Sequence, residues 1–230
     1  MNEIKFIEEL KKLNISSEQN KLLKLKKYYE ILIEKNKVMN LTAITEIDEV
    51  YLKHFYDSLT ISKIIDLNLY ETFCDIGTGA GFPGIVIKIF YPHLKVTLIE
   101  SMTKRVEFLK YVIKELELKD IEVINARAEE YAKTNRELFD IVTARAVANI
   151  NILLEYSIPL VKIGKYFVAM KGKKEEVSTS CLNLLNTSRI KIESFNLLNG
   201  DERTLYLFLK QNKTPIKYPR KYNEIKKKNL

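Results

Sequence analysis

The sequence predicts an α/β protein, a mostly parallel sheet preceded by a helical cap. Three observations carry that reading. From Glu71 onward, short β-prone runs alternate with helical ones, the pattern of βαβ units. Four of only seven glycines, Gly77, Gly79, Gly81 and Gly84, crowd into one stretch directly behind the first of those runs. The last two runs are separated by little more than Asn199-Gly200, which makes them an antiparallel pair closing the sheet.

In chain order, Ile4, Ile7, Leu10 and Leu13 recur at threefold spacing and predict a first helix. A capping box Ser16-x-x-Gln19 opens a second, which runs through Leu22, Leu25, Tyr29 and Leu32. Asn36 to Thr45 is a polar break, and a third helix is expected over Ile47 to Ile65. Residues 1–70 thus form the cap, residues 71–210 the sheet domain and residues 211–230 a tail. Five strands follow: T-F-C-D-I, K-V-T-L-I-E, I-E-V-I-N, F-D-I-V-T-A and K-Y-F-V-A-M. Helices over Pro83 to Phe90, Lys104 to Leu116 and Ile150 to Val161 lie among them. Lys191 to Asn196 and Thr204 to Lys210 complete seven strands.

Composition bounds the function. No apolar run reaches the ~18 residues of a membrane span, and Met1 to Leu10 is acidic and amphipathic rather than a signal peptide. A cytoplasmic protein, monomeric and without a membrane partner, is expected. Cys74 and Cys181 match no metal or redox spacing, so no metal site is expected. The net charge of +8 is concentrated at the end, where residues 210–230 hold eight Lys or Arg against the single Glu224. Such a tail either meets a phosphate-rich partner, whose counterions Lys and Arg displace, or is simply solvated.

The glycine cluster admits two ligands. Gly79-x-Gly81-x-x-Gly84 satisfies the dinucleotide fingerprint, which would make the protein a nicotinamide-dependent oxidoreductase. Asp75, however, stands at the end of the first strand. A carboxylate there repels a pyrophosphate at the helix N-terminus and suits a cationic, phosphate-free ligand. Glu100 ends the second strand, placed to accept hydrogen bonds from the two hydroxyls of a ribose. Asp75, the glycines and Glu100 together resemble the S-adenosylmethionine (SAM) site of Rossmann-like methyltransferases.

Two further strand ends face the same crevice. The third strand runs into Arg127-Ala128-Glu129, whose amide and carboxylate suit an adenine ring, although Glu129 also reads as an ordinary helix-start acid. The fourth ends at Arg145, which calls for a partner such as Asp75 or Glu129, or an RNA phosphate. Beyond it the chain reads T-A-R-A-V-A, without the Asn/Asp-Pro-Pro-aromatic run that holds an exocyclic amine for methylation. Neither cysteine has the setting of a pyrimidine-C5 nucleophile. The acceptor atom is therefore expected to need no deprotonation. Guanine N7 is such an atom, its outward lone pair requiring mainly alignment.

Nearly the whole chain resembles the RsmG (GidB) methyltransferases, which modify guanine N7 in bacterial 16S ribosomal RNA. The carriers are N-K-V-M-N-L-T-A-I (Asn36 to Ile44), H-F-Y-D-S-L (His54 to Leu59), D-I-G-T-G-A-G-F-P-G (Asp75 to Gly84), R-A-E-E, T-A-R-A-V-A, M-K-G (Met170 to Gly172) and a tail with P-R-K. The resemblance implies a class I SAM-dependent methyltransferase fold with SAM as cofactor. It implies 16S rRNA or a small-subunit particle as partner and a guanine of the 530 loop as target. It points to Gly77, Phe82, Ala128, Glu129 and Arg145 as cofactor contacts, joining Asp75, Gly79, Gly81 and Glu100. Lys171, Arg220 and Lys221 become RNA-binding candidates. Asn40 and the pair His54/Asp57, which shares a helix face at i, i+3, join Arg145 as positioning candidates, with no base required. An RNA-binding assembly factor that has lost catalysis stays open beside the enzyme.

Overall fold

In a computed structural model, residues 1–145, 147–228 and 230 are described; Ala146 of T-A-R-A-V-A and Asn229 of the tail lie outside them. Helix α1 (Glu3–Lys12) is capped by Asn2, whose side chain accepts from Lys5 N at 2.9 Å. Helix α2 (Gln19–Met39) lacks the expected capping box: Glu18 takes the N-cap position, and Ser16 donates to the Glu18 carboxylate at 3.0 Å. The helix also continues three residues past Asn36 before Asn40 ends it in the left-handed conformation at φ 50°. Asn36 explains the polar run. Its Oδ1 accepts from Leu41 N and Thr42 N at 2.7 and 2.9 Å, and its Nδ2 donates to Thr42 O at 2.9 Å.

The third helix is not uniform. It opens as α3 (Ile47–Val50), widens into a π-helical segment over Tyr51–Tyr56, tightens through α4 (Asp57–Leu59) and ends as a 3-10 turn over Thr60–Lys63. The π segment carries His54 and ends directly before Asp57, so the departure from α geometry falls on one positioning candidate and borders another.

The sheet comprises β1 (Thr72–Ile76), β2 (Lys95–Glu100), β3 (Ile121–Asn125), β4 (Phe139–Arg145), β5 (Val161–Lys171), β6 (Thr187–Asn196) and β7 (Glu202–Lys210). Its order is β3-β2-β1-β4-β5-β7-β6, with β7 antiparallel to both neighbours and every other pairing parallel. Helices α5 (Gly84–Phe90), α6 (Thr103–Glu115), α7 (Ala128–Thr134) and α8 (Ile150–Ser157) make the crossovers. Two further helices, α9 (Thr179–Leu184) and α10 (Tyr222–Lys227), were not expected from the sequence.

Period-two alternation assigns the sheet's faces. Phe73, Leu98, Ile141 and Val168 join α2, α5 and α6 in one apolar cluster that also holds Phe6, Leu10, Tyr28 and Phe55 of residues 1–70. Cys74, Ile99, Val142 and Phe167 point the other way, with Leu153 and Leu154 of α8 and Cys181 of α9. Both cysteines are free and fully buried. Because successive crossovers run to opposite sides at β1 and β4, a crevice opens beyond the carboxyl ends of those strands.

The tail is not a free basic segment. Tyr218 and Ile225 are buried, and Arg136 donates to Thr214 O and Tyr218 O. Arg220 donates to the Glu155 carboxylate from its backbone N, Nε and Nη2 at 2.8, 2.9 and 2.7 Å.

Candidate active site

The glycine loop leaves β1 through three residues with positive φ, Gly77 (63°), Gly79 (61°) and Gly81 (100°). At Gly77 a Cβ would stand 2.9 Å from Val147, so bare backbone borders the crevice there. Asp75 lies beneath the loop, fully buried. Its Oδ2 accepts from Thr78 Oγ1 at 2.6 Å and from Gly84 N, the first amide of α5, at 2.8 Å, while Oδ1 is buried without a partner. The anion position at that helix terminus is thus filled by the protein's own carboxylate, where a pyrophosphate would bind. Burial pushes the Asp75 carboxyl up to about 7, with Thr78, Gly84 N and Arg145 pulling against it.

Glu100 holds the loop from the other side. Its Oε2 accepts from Gly79 N at 3.1 Å and its Oε1 from Met102 N at 2.8 Å, which leaves each oxygen a free lone pair. Its neighbours Ile99 and Ser101, with Ile76, Gly77, Ala128 and Glu129, line a cavity of about 290 Å³. Glu129 is nearly buried, and its carboxylate pairs with Arg127 at 3.4 Å. Tyr156 of α8 and Tyr222 and Lys226 of α10 complete the wall.

Arg145 pairs with neither Asp75 nor Glu129. Its Nη1 donates to Asp57 Oδ2 and to Lys53 O, both at 3.1 Å, and its guanidinium lies 5.4 Å over the Phe82 ring. Asp57 also receives Arg203 Nε at 2.9 Å on its other oxygen. His54 does not pair with Asp57 either. It shares a hydrogen bond of 2.9 Å with Thr42 Oγ1, stacks on Phe82 at 4.5 Å, and leaves Nδ1 buried without a partner. Burial, helped by the Arg145 charge, pushes its pKa down to about 3, so the imidazole is neutral at pH 7.

Arg145, His54 and Asp57 line a second cavity of about 390 Å³ together with Lys53, Met170, Lys171 and Arg203. The walls of the two cavities adjoin at the end of β4, with Arg145 lining the second and Val147 and Ala148 the first. Lys171 of the second donates at 2.5 Å to Ala148 O of the first and forms a 2.7 Å ion pair with Glu175. Of the expected contacts, Gly77, Ala128 and Glu129 line the first cavity, Arg145 and Lys171 the second, and Asp75, Gly79 and Gly81 shape the loop. Asn40 serves as a helix end. Arg220 is engaged by Glu155, whereas Lys221 is exposed at the start of α10. Arg203 and Tyr28 carry no local sequence signal. Tyr28 reaches from α2 to donate to Ala80 O in the glycine loop.

A profile of the family described as rRNA small subunit methyltransferase G matches residues 21–206. The chain belongs to the GidB family. Among curated relatives, ribosomal RNA small subunit methyltransferase G of Lysinibacillus sphaericus is 46% identical over 228 residues, covering 96% of each chain. That of Exiguobacterium sibiricum is 44% identical, with the same coverage. A SAM-dependent methyltransferase of Aquifex aeolicus superposes with a TM-score of 0.54 at 18% identity, over 77% of this chain and 98% of that one. A putative methyltransferase of Bacillus halodurans gives 0.54 at 15% identity, over 68% and 99%. The GidB chain therefore has the Rossmann-like fold of SAM-dependent methyltransferases. Among the described residues, no three His, Cys, Asp or Glu side chains are grouped to hold a metal, and no helix is long and apolar enough to cross a membrane.

Proposed function

We propose that this GidB-family chain transfers a methyl group from SAM to N7 of a guanine in the 530 loop of 16S rRNA, on the free RNA or a small-subunit particle. The observation that carries the reading is the pair of neighbouring cavities at the end of β4, whose walls the Lys171 to Ala148 hydrogen bond ties together. The cavity over Gly77 is the donor site. Gly77, Ala128 and Glu129 would hold SAM there, and the free lone pairs of Glu100 suit ribose hydroxyls. An apolar floor of Ile76 and Ile99 and a loop whose Gly79 and Gly84 amides are taken by the protein's own carboxylates fit a cofactor without phosphate. When bound, SAM supplies a methyl group on a sulfonium, open to in-line attack.

The second cavity is the acceptor site. Its cationic groups, Lys53, Arg145, Lys171 and Arg203, outnumber the carboxylates Asp57 and Asp201. Guanidinium donors match guanine O6, and the Asp57 carboxylate matches the donor edge at N1 and N2. N7 then needs no base, only alignment. His54, neutral and a weak acceptor of protons, shapes the wall. Lys53 at this cavity and the exposed Lys221 of the tail suit RNA phosphates, and a loop fits the cavity better than an A-form duplex, whose deep groove hides N7. Arg220 serves the tail's anchorage. Calorimetry tests the cofactor: SAM or S-adenosylhomocysteine binds in the micromolar range and NAD(H) does not. Binding of NAD(H) with no response to either SAM species would contradict the reading.

A further inference from the structure

The basic tail ends on the cofactor cavity. Tyr222 and Lys226 of α10 line the same space as Gly77, Ala128 and Glu129. Two anchors hold the helix there: Arg220, one residue before its N-cap, makes three hydrogen bonds to a Glu155 that is fully buried, and Ile225 is itself 0% exposed. From that position the Tyr222 ring takes the Arg127 guanidinium at 4.3 Å, and Arg127 in turn pairs with Glu129. The chain Tyr222, Arg127, Glu129 therefore runs from the tail to the strand end where a nucleobase would lie.

We propose that α10 is the outer wall of the cofactor cavity, with Tyr222 and Lys226 enclosing the nucleoside end of the cofactor, an inference that rests on reading that cavity as the SAM site. The physical grounds are area and charge. An aromatic ring at the wall of a base-sized cavity offers a stacking surface to any purine, and it holds Arg127 where that cation steadies the buried Glu129. Lys226 adds a second cation to the same cavity wall. Cofactor affinity is then coupled to the tail, and a tail displaced by RNA would loosen the cofactor.

The test uses S-adenosylhomocysteine titrated calorimetrically into the full chain and into Tyr222→Ala, Tyr222→Phe and Lys226→Ala. Tyr222 and Lys226 are surface-facing, so the fold is retained, and the near-UV circular dichroism of each variant checks that. Tyr222→Ala is expected to weaken binding about tenfold. Tyr222→Phe, which keeps the ring, stays within about twofold, and Lys226→Ala falls between them. An unchanged affinity in Tyr222→Ala, or an equal loss in Tyr222→Phe, overturns the wall while leaving the cofactor reading intact. A full chain that does not bind S-adenosylhomocysteine overturns the cofactor reading itself.

Discussion

At the scale of single residues, the site works through groups whose charge state the fold has fixed. His54 is held neutral against Phe82, so it is a poor base, and His54→Gln is expected to retain methylation; a dead variant with intact fold and SAM binding would refute this. Its titration also sets a pH signature. The unfolded His54 takes up a proton near its ordinary pKa of 6.5, whereas the folded one resists until about 3, so its contribution to stability is lost as pH falls through that window. Asp75 acts oppositely. Its carboxyl rises from 3.8 to about 7 on folding, so its contribution is full at low pH and is lost as pH rises through that range. Between about pH 4 and 6.5 the two offset one another. The stability of the parent relative to His54→Gln should therefore decline on acidification, by at most about 1.4 kcal/mol per pH unit, in urea melts across pH. A constant difference would mean that His54 is not depressed. The partners of Arg145 illustrate what a sequence withholds: Asp57 is 88 residues away, and no local pattern distinguishes it from Asp75 or Glu129.

At the scale of elements, the strands, their order of appearance and the glycine turn were legible, because period-two alternation and clustered glycines are local signals. Terminal detail was not. The Ser16-x-x-Gln19 pattern exists, yet Glu18 occupies the N-cap, and the apolar spacing that predicts a third helix does not tell a π-helical turn over Tyr51–Tyr56 from an α-helical one. Helix α10 was masked by its lysines, with Ile225 its one buried residue. The contact between α2 and the glycine loop is the element-scale link between cap and site. Tyr28 is fully buried, stacks on Phe55 and Phe82 at 5.7 and 5.4 Å, and its hydroxyl bonds to Ala80 O. Burial holds that phenol well above its ordinary pKa, so it stays a donor. Tyr28→Phe keeps the ring but strands a buried carbonyl, and is expected to cost about 1 to 2 kcal/mol. Urea denaturation would register this as a lower midpoint at unchanged slope. An unshifted midpoint would show that water satisfies Ala80 O.

At the scale of the whole molecule, one apolar cluster runs from Phe6 through Tyr28 and Phe55 to Leu98 and Val168, so the cap is an integral wall of the sheet. That continuity places His54, Asp57 and Tyr28 of the first 70 residues against a loop and a strand end of the core. The second cavity is built from both parts: Lys53 and Asp57 come from one, Arg145, Lys171 and Arg203 from the other. The fold class and the loop followed from the sequence, but this shared cavity required the three-dimensional placement of distant cations around Asp57. The central claim is methyl transfer to a guanine N7 between the two neighbouring cavities. The most direct measurement is incubation of the chain with methyl-labelled SAM and under-modified small ribosomal particles, followed by mapping of the label in the RNA. The account predicts label on N7 of a single guanine in the 530 loop. Label on an exocyclic amine, or none on free RNA or particle, would contradict it.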